Sequence, residues 1–309
     1  MTTFGKMHWN IDSVVSELRE IRVKSLVSRQ RENKPPKLPS RKVLVEIVQG
    51  LSAVLFPNRL GSGELTDEAI DYFVGHTLDA ALRLLYGQVC RELQFTAEES
   101  SEDSTGQTER AVQIVRDFAA RLPHLRVLLD SDLEAAYQGD PAARSIDEVL
   151  VCYPGITAII HHRLAHELYR LGTPLIARMI AEIAHSETGI DIHPGASIGG
   201  HFFIDHGTGV VIGETAVIGQ RVRLYQAVTL GAKRFPADEN GTLIKGIARH
   251  PIVEDDVVIY AGATILGRVT IGRGSTIGGN VWLTYSVPPG SHITQAKTRS
   301  DRLDGGTGF

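Results

Sequence analysis

"VEDDVVIYAGATILGRVTIGRGSTIGGNVWL", residues 253–283, carries an aliphatic residue at every sixth position: Val253, Ile259, Ile265, Ile271, Ile277 and Leu283. The same interval joins Ile192, Ile198 and Ile204 and, in a new phase, Ile212, Ile218, Leu224 and Leu230. A small or β-branched residue often follows four places later, as at Ala196, Thr208, Ala216, Val222, Val228, Val257, Ala263, Val269, Ser275, Val281 and Val287. A period of six fits neither one amphipathic helix nor one long strand. It fits a solenoid in which each hexad supplies a short strand and a turn and three hexads close a triangular coil. The aliphatic residue then points into the prism and stacks on its equivalent one coil further on, and the small residue leaves room at the corner.

The repeat is interrupted twice. Ile204 and Ile212 are eight apart, which inserts two residues into "DHGTGVV". Leu230 and Val253 are 23 apart, room for an extruded loop, "GAKRFPADENGTLIKGIARHP", rich in turn residues. Breaks in a repeat are where function is grafted onto a scaffold, and they carry Asp205-His206 and Arg249-His250.

The front half reads differently. Apolar residues recur at three- and four-residue intervals from Val43 to Leu93 and from Arg110 to Leu129, and again in "ITAIIHHRLAHELYRLG" and "PLIARMIAEIAHSETG", which predicts amphipathic helices. Pro174 suits a first helical turn and Gly189 the residue just past an end. Two polar stretches, 29–42 and 96–110, read as linkers. The expected organisation is a helical extension with linkers over 1–109, a helical domain over 110–189, a prism over 190–290 with its extruded loop at 231–251, and a flexible tail over 291–309. His162 and His166 share a helical face, but with no third ligand nearby they read as packing or capping residues.

Composition narrows the function. With 32 Lys+Arg against 36 Asp+Glu the net charge is -4, which argues against a nucleic-acid partner. The two cysteines, Cys90 and Cys152, are too few for a disulfide framework and read as packing thiols of a reducing compartment. "MTTFGKMHWNIDSVVSELRE" lacks the parts of a secretory signal and no run reaches the ~20 apolar residues of a membrane span, so a cytoplasmic location is expected.

The hexads resemble the left-handed parallel β-helix of the hexapeptide acyltransferases, and the handedness comes from that resemblance. Within that superfamily "DIHPGASIG", "DHGTGVVIGETAVIG", "VTLGA" and "RHPIVEDDVVIYAGATILG" resemble the serine O-acetyltransferases, over roughly residues 130–290. The implied fold class is α+β, an N-terminal α-helical domain followed by a left-handed β-helix. The implied reaction is transfer of acetyl from acetyl-CoA to the hydroxyl of L-serine, for cysteine biosynthesis, with no metal required.

Such a transfer needs a base for the hydroxyl proton, a group to orient that base, charges for a zwitterionic amino acid, and donors for a developing oxyanion. The resemblance assigns His206 as base and Asp191, fifteen residues earlier, as its orienting carboxylate. It places Asp140 ("QGDPAA") and Asp205 at the ammonium, Arg249 at the carboxylate and His250 beside them. For acetyl-CoA it points to Gly231, Ala232, Ala261 and Gly262, with Arg273 at a phosphate. It also implies a homotrimer or a dimer of trimers, with the site between neighbouring prisms. Each residue has a plain structural alternative: Asp191 as a corner brace, Arg249 as a loop salt bridge, Asp140 as a turn residue, Arg273 as a solvated turn.

The chain departs from the family in its longer loop, which bears on loop closure, cofactor contacts and inhibition by cysteine. It departs again at its last residue: members that bind the sulfhydrylase end in isoleucine, and Phe309 argues against that complex. The first hundred residues have no assigned task. Three rival readings remain: another acceptor, homoserine or a sugar; a γ-class carbonic anhydrase-like zinc enzyme built on His193, His201 and His206; and a prism with no chemistry.

Overall fold

The computed structural model describes residues 9–28, 37–61, 63, 66–100, 106–234, 238–239 and 241–295; Phe309 lies outside them. Among the described residues eight helices precede fourteen short strands. The helices are α1 (Ile11–Ser28), α2 (Arg41–Leu55), α3 (Pro57–Leu60), α4 (Asp67–Ser100), α5 (Gln107–Gly139), α6 (Ile146–Cys152), α7 (Pro154–Arg170) and α8 (Pro174–Thr188). Their apolar spacing decides their faces: α2 buries Leu44, Ile47, Val48, Leu51 and Leu55, and α5 buries Ile114, Phe118, Leu122, Leu125, Leu129 and Leu133. Pro174 opens α8, and Gly189 closes it with φ +70. The acidic linker is shorter than expected. α4 runs to Ser100, into the "TAEES" segment, because Ala and Glu are strong helix formers, and α5 begins at Gln107. Cys90 is half-buried, but Cys152 is exposed rather than packed.

From Asp191 the chain winds into parallel strands that form three sheets. Sheet A holds β1 (Asp191–Ile192), β4 (Val211–Ile212), β7 (Thr229–Gly231), β10 (Thr264–Leu266) and β13 (Trp282–Leu283). Sheet B holds β2 (Ser197–Ile198), β5 (Val217–Ile218), β8 (Ile252–Val253) and β11 (Thr270–Ile271). Sheet C holds β3 (Phe203–Ile204), β6 (Arg223–Leu224), β9 (Val258–Ile259), β12 (Thr276–Ile277) and β14 (His292–Ile293). This is a left-handed parallel β-helix, with the chain passing A to B to C in each coil.

The register stacks Ile192, Ile212, Leu230, Ile265 and Leu283 down sheet A, and the hexad aliphatics of sheets B and C stack likewise. All are buried except Ile198, which is half-buried. Strand β14 carries the prism to Ile293, three residues beyond the expected limit, by pairing with β12. One corner residue differs from expectation. Thr208 is exposed, because the two-residue insertion hands its place to the buried Val210.

The helical half is joined to the first coil by a buried ion pair. Arg163 on α7 meets Asp132 on α5 through two donors, at 3.0 and 2.9 Å, and also donates to the carbonyls of Ile198 and Gly199, each at 2.7 Å. Asp132 accepts in turn from the N–H of Phe202 at 2.9 Å. His162 and His166 face the core here; a ring nitrogen of His166 bonds the Pro194 carbonyl at 2.8 Å. No helix among the described residues is long and apolar enough to cross a membrane.

Candidate active site

Most of the predicted site residues lie at the edges of the prism; Asp140 ends α5, and Asp191 and Gly231 lie in β1 and β7 of sheet A. Asp205 and His206 follow β3 at the corner between sheets C and A, where the two inserted residues widen the turn. His206 adopts φ +60, a left-handed conformation that a side chain rarely takes outside special sites, and its side chain is 70% exposed. Its Nδ1 lies 3.9 Å from Oδ1 of Asp205. The other oxygen of Asp205 accepts from Arg223 at 2.6 Å, and the same guanidinium donates to the Gly139 carbonyl at 2.7 Å while lying over the rings of Phe203 and Tyr225.

Arg223 thereby brings Asp140 into the same place. Asp140 caps α5; one of its oxygens accepts from the Tyr153 hydroxyl at 2.5 Å and the other from the Ala142 N–H at 2.8 Å. These bonds, the Tyr153 hydroxyl first, hold its carboxyl below the usual range, with smaller contributions from Arg223 and His206. The same bond, with burial, pushes Tyr153 up to about 12. Below this cluster Tyr225 and Tyr260 stack at 5.0 Å along the corner, ahead of Ala261 and Gly262. Gly262 has φ +72, and the Asn280 amide fills the space that a Cβ would take, so that step requires glycine.

Asp191 is placed differently from expectation. Its N–H donates to the Val210 carbonyl at 2.9 Å, which puts its backbone beside the His206 loop. Its carboxylate, however, gathers with Glu182 and His185 at the end of α8, their ligand atoms within 4.8 Å of one another. Among the described residues, His206 makes its ion-pair contact with Asp205 and not with Asp191.

Arg249 and His250 end the extruded loop at the corner between sheets A and B. Arg249 pairs with Glu214 at 2.7 Å, and Glu214 also accepts from the Tyr169 hydroxyl at 3.2 Å. The Thr215 hydroxyl accepts the N–H groups of Arg249 and His250 at 2.9 and 3.1 Å. In return the Thr215 N–H donates to Nδ1 of His250 at 3.0 Å, which leaves the imidazole proton on Nε2. The ring lies against Gly213, where any Cβ would overlap it. Burial, then the adjacent Arg249, holds His250 down to about 4.

Within one chain, then, the structure gathers Asp140, Asp205 and His206 at one edge and Arg249 and His250 at another, with the width of sheet A between them. Gly231 and Ala232 follow sheet A toward the second edge, and Ala261 and Gly262 lie on the first. Arg273 stands apart on the third edge, between sheets B and C, paired with Asp255 and Asp256, each at 3.3 Å. His193, His201 and His206 lie on three different edges, so one chain brings no two of them to one metal.

Arg223, Tyr153, Glu214 and Thr215 were not singled out from the sequence. Arg223 had a legible signal: of the thirteen residues immediately before a hexad aliphatic, only Asp191 and Arg223 are charged. Tyr153 had none, since its partner Asp140 is thirteen residues away, on the other side of α6.

The family model described as bacterial transferase hexapeptide (six repeats) matches residues 250–284. The plasmid serine acetyltransferase of Synechococcus elongatus is 60% identical over 304 residues, 97% of this chain and 95% of that one. The serine acetyltransferase of Bacillus licheniformis is 48% identical over 166 residues, covering 54% of this chain and 73% of that one. Among solved structures, serine acetyltransferase 1 of Entamoeba histolytica in complex with L-cysteine superposes with a TM-score of 0.70 at 37% identity, over 85% of this chain and 90% of that one. Soybean serine acetyltransferase complexed with serine gives 0.52 at 31% identity, over 80% and 93%.

Proposed function

The chain belongs to the serine acetyltransferase family, and from that premise we propose that it transfers acetyl from acetyl-CoA to the hydroxyl of L-serine, giving O-acetylserine for cysteine biosynthesis. The observation that carries this reading is the C–A edge, where an exposed imidazole stands beside two carboxylates braced by Arg223 and Tyr153.

With Nδ1 of His206 turned to Asp205, Nε2 is the nitrogen left to take the hydroxyl proton and pass it to the departing thiolate. Asp140, held ionised, and Asp205 face the substrate ammonium. Asp191 orients the base only after its side chain turns from His185 toward the neighbouring loop. Acetyl-CoA supplies a thioester already activated for attack. For acetyl-CoA the small residues Ala261 and Gly262 on this edge, and Gly231 and Ala232 on the far side of sheet A, let a ligand approach the prism without obstruction by long side chains when two copies are set edge to edge, whereas Arg273 on the third edge is not drawn into it.

Arg249 and His250 cannot reach His206 in the same chain, so a second copy that sets its A–B edge against this C–A edge completes the site, as a closed ring of three would do. Arg249 then binds the substrate carboxylate in exchange for Glu214, and the Nε2–H of the neutral His250 is a hydrogen-bond donor beside it. A cytoplasmic location accompanies this reading, supported by two free thiols.

Acids on one side and a guanidinium on the other suit a zwitterion better than a neutral sugar. The test is an acceptor screen with acetyl-CoA, following free thiol across serine, homoserine and simple sugars. Serine gives the highest kcat/KM, and a faster sugar or homoserine overturns the assignment.

A further inference from the structure

Helix α8 sets Glu182 and His185 three residues apart on one face, and Gly189 turns the chain so that Asp191 opens sheet A beside them. The ligand atoms of the three lie within 4.8 Å of one another. Regular structure holds each of them: the helix places two, and the third begins a strand whose first N–H donates to the Val210 carbonyl at 2.9 Å. Nδ1 of His185 stands 3.3 Å from one oxygen of Glu182, long for a charge-assisted hydrogen bond. Two donors that share one tetrahedral ion at about 2.0–2.1 Å are about 3.3 Å apart, so this pair already has the spacing of two ligands of one metal.

The charges call for a cation. Arg178 donates to the other oxygen of Glu182 at 2.7 Å. The half-buried Asp191 carboxylate, by contrast, makes no hydrogen bond or ion pair among the described residues. It lies beside a second carboxylate and near the carbonyls that end α8, and both disfavour a lone negative charge. One imidazole with two carboxylates suits a divalent first-row transition ion such as zinc better than magnesium or calcium, which take oxygen ligands. We propose that Glu182, His185 and Asp191 bind such an ion, and that the bound ion slows acetyl transfer by keeping the Asp191 carboxylate from His206. The second half rests on the proposed function and on the role given there to Asp191; the first half does not.

Calorimetric titration of zinc chloride into the full chain, first stripped with a chelator, tests the binding whatever the acetyl acceptor is. The parent takes up an ion that His185→Ala binds at least about a hundredfold more weakly, since losing a ligand costs more than the roughly 10–100-fold that follows loss of a group behind one. Glu182→Gln weakens it as well. Both side chains are 44% exposed, so neither change disturbs the core. Cobalt(II) in place of zinc gives the visible absorption of a low-coordinate ion in the parent, and the bands vanish in His185→Ala. In the acetyl-transfer assay zinc lowers kcat of the parent, chelator restores it, and His185→Ala keeps its metal-free kcat when zinc is added. Equal zinc affinity and stoichiometry in the parent and His185→Ala overturns the site. Zinc uptake that depends on His185 but leaves the parental kcat unchanged overturns the inhibition, and so does equal inhibition of the parent and His185→Ala.

Discussion

Arg223 donates to the Asp205 carboxylate at 2.6 Å while its other terminal nitrogen holds the Gly139 carbonyl at 2.7 Å. One guanidinium thus fixes the residue before His206 and the residue before Asp140, tying the last turn of α5 to the prism. A lysine keeps the charge but not the fork. Arg223→Met should raise the serine KM about tenfold with a smaller change in kcat, because it loosens where the ammonium is held and leaves the base in place; one lost charge-assisted hydrogen bond is worth about 1.5–3 kcal/mol. Arg223→Lys should fall between Met and the parent. Initial rates at varied serine decide it, and an unchanged KM in the Met variant reduces Arg223 to a structural brace.

His206→Ala should lower kcat by roughly 10²–10⁴-fold with the fold intact, and it sets the scale for a comparison of Asp191 with Asp205. If Asp191 turns to orient the base, Asp191→Asn loses kcat at constant serine KM. Asp205, bound to Arg223 and 3.9 Å from His206, should when changed to Asn chiefly raise KM. Steady-state kinetics on both variants separates the roles. Loss of kcat in Asp205→Asn alone would make Asp205 the partner of His206 and leave Asp191 with His185 and Glu182.

How much of this could be read in the residues depends on how local each signal is. The prism was legible because inward stacking imposes one residue type at every sixth place, and each of those aliphatics sits where the spacing puts it. His206, Arg249 and His250 were legible as polar residues at breaks in that rule. The side-chain direction of Asp191 was not, because Glu182 and His185, the groups that its carboxylate gathers with, lie at the end of α8, outside the repeat. Nor was the bond from Arg223 to Gly139, which spans 84 positions. The helical boundaries drifted for a simpler reason: acidic "TAEES" reads as a solvated linker and also propagates a helix well.

Asp132 and Arg163 form the joint between helices and prism, with side chains 0% and 5% exposed. Removing one partner strands a buried charge, and Asp132→Asn should destabilise the chain by about 3–5 kcal/mol, whereas replacing both by apolar residues of similar size should cost far less. Urea unfolding of the two single variants and the double variant measures this. A small effect in both single variants would show that water reaches the joint and screens the pair.

His250 should make stability depend on pH in a defined direction. Its ring is buried and neutral, held down to about 4, while in the unfolded chain it returns to the ordinary histidine value near 6.5. Below pH 6.5 the unfolded chain takes up a proton that the folded chain refuses until about pH 4. The contribution is therefore complete above about pH 6.5 and is lost as pH falls toward 4, by at most about 1.4 kcal/mol per pH unit. His161, His162, His166 and His193, each lowered chiefly by burial, act in the same sense. His250→Asn keeps an acceptor for the Thr215 N–H but cannot titrate, so its urea midpoint should fall less steeply between pH 6.5 and 4.5 than the parent's. Gly213→Ala, by forcing the ring off its bed, should restore part of the proton uptake in the folded state while lowering stability at pH 7. Equal slopes in the parent and His250→Asn would show that His250 protonates as readily folded as unfolded, and would place its ring in solvent and not against Gly213.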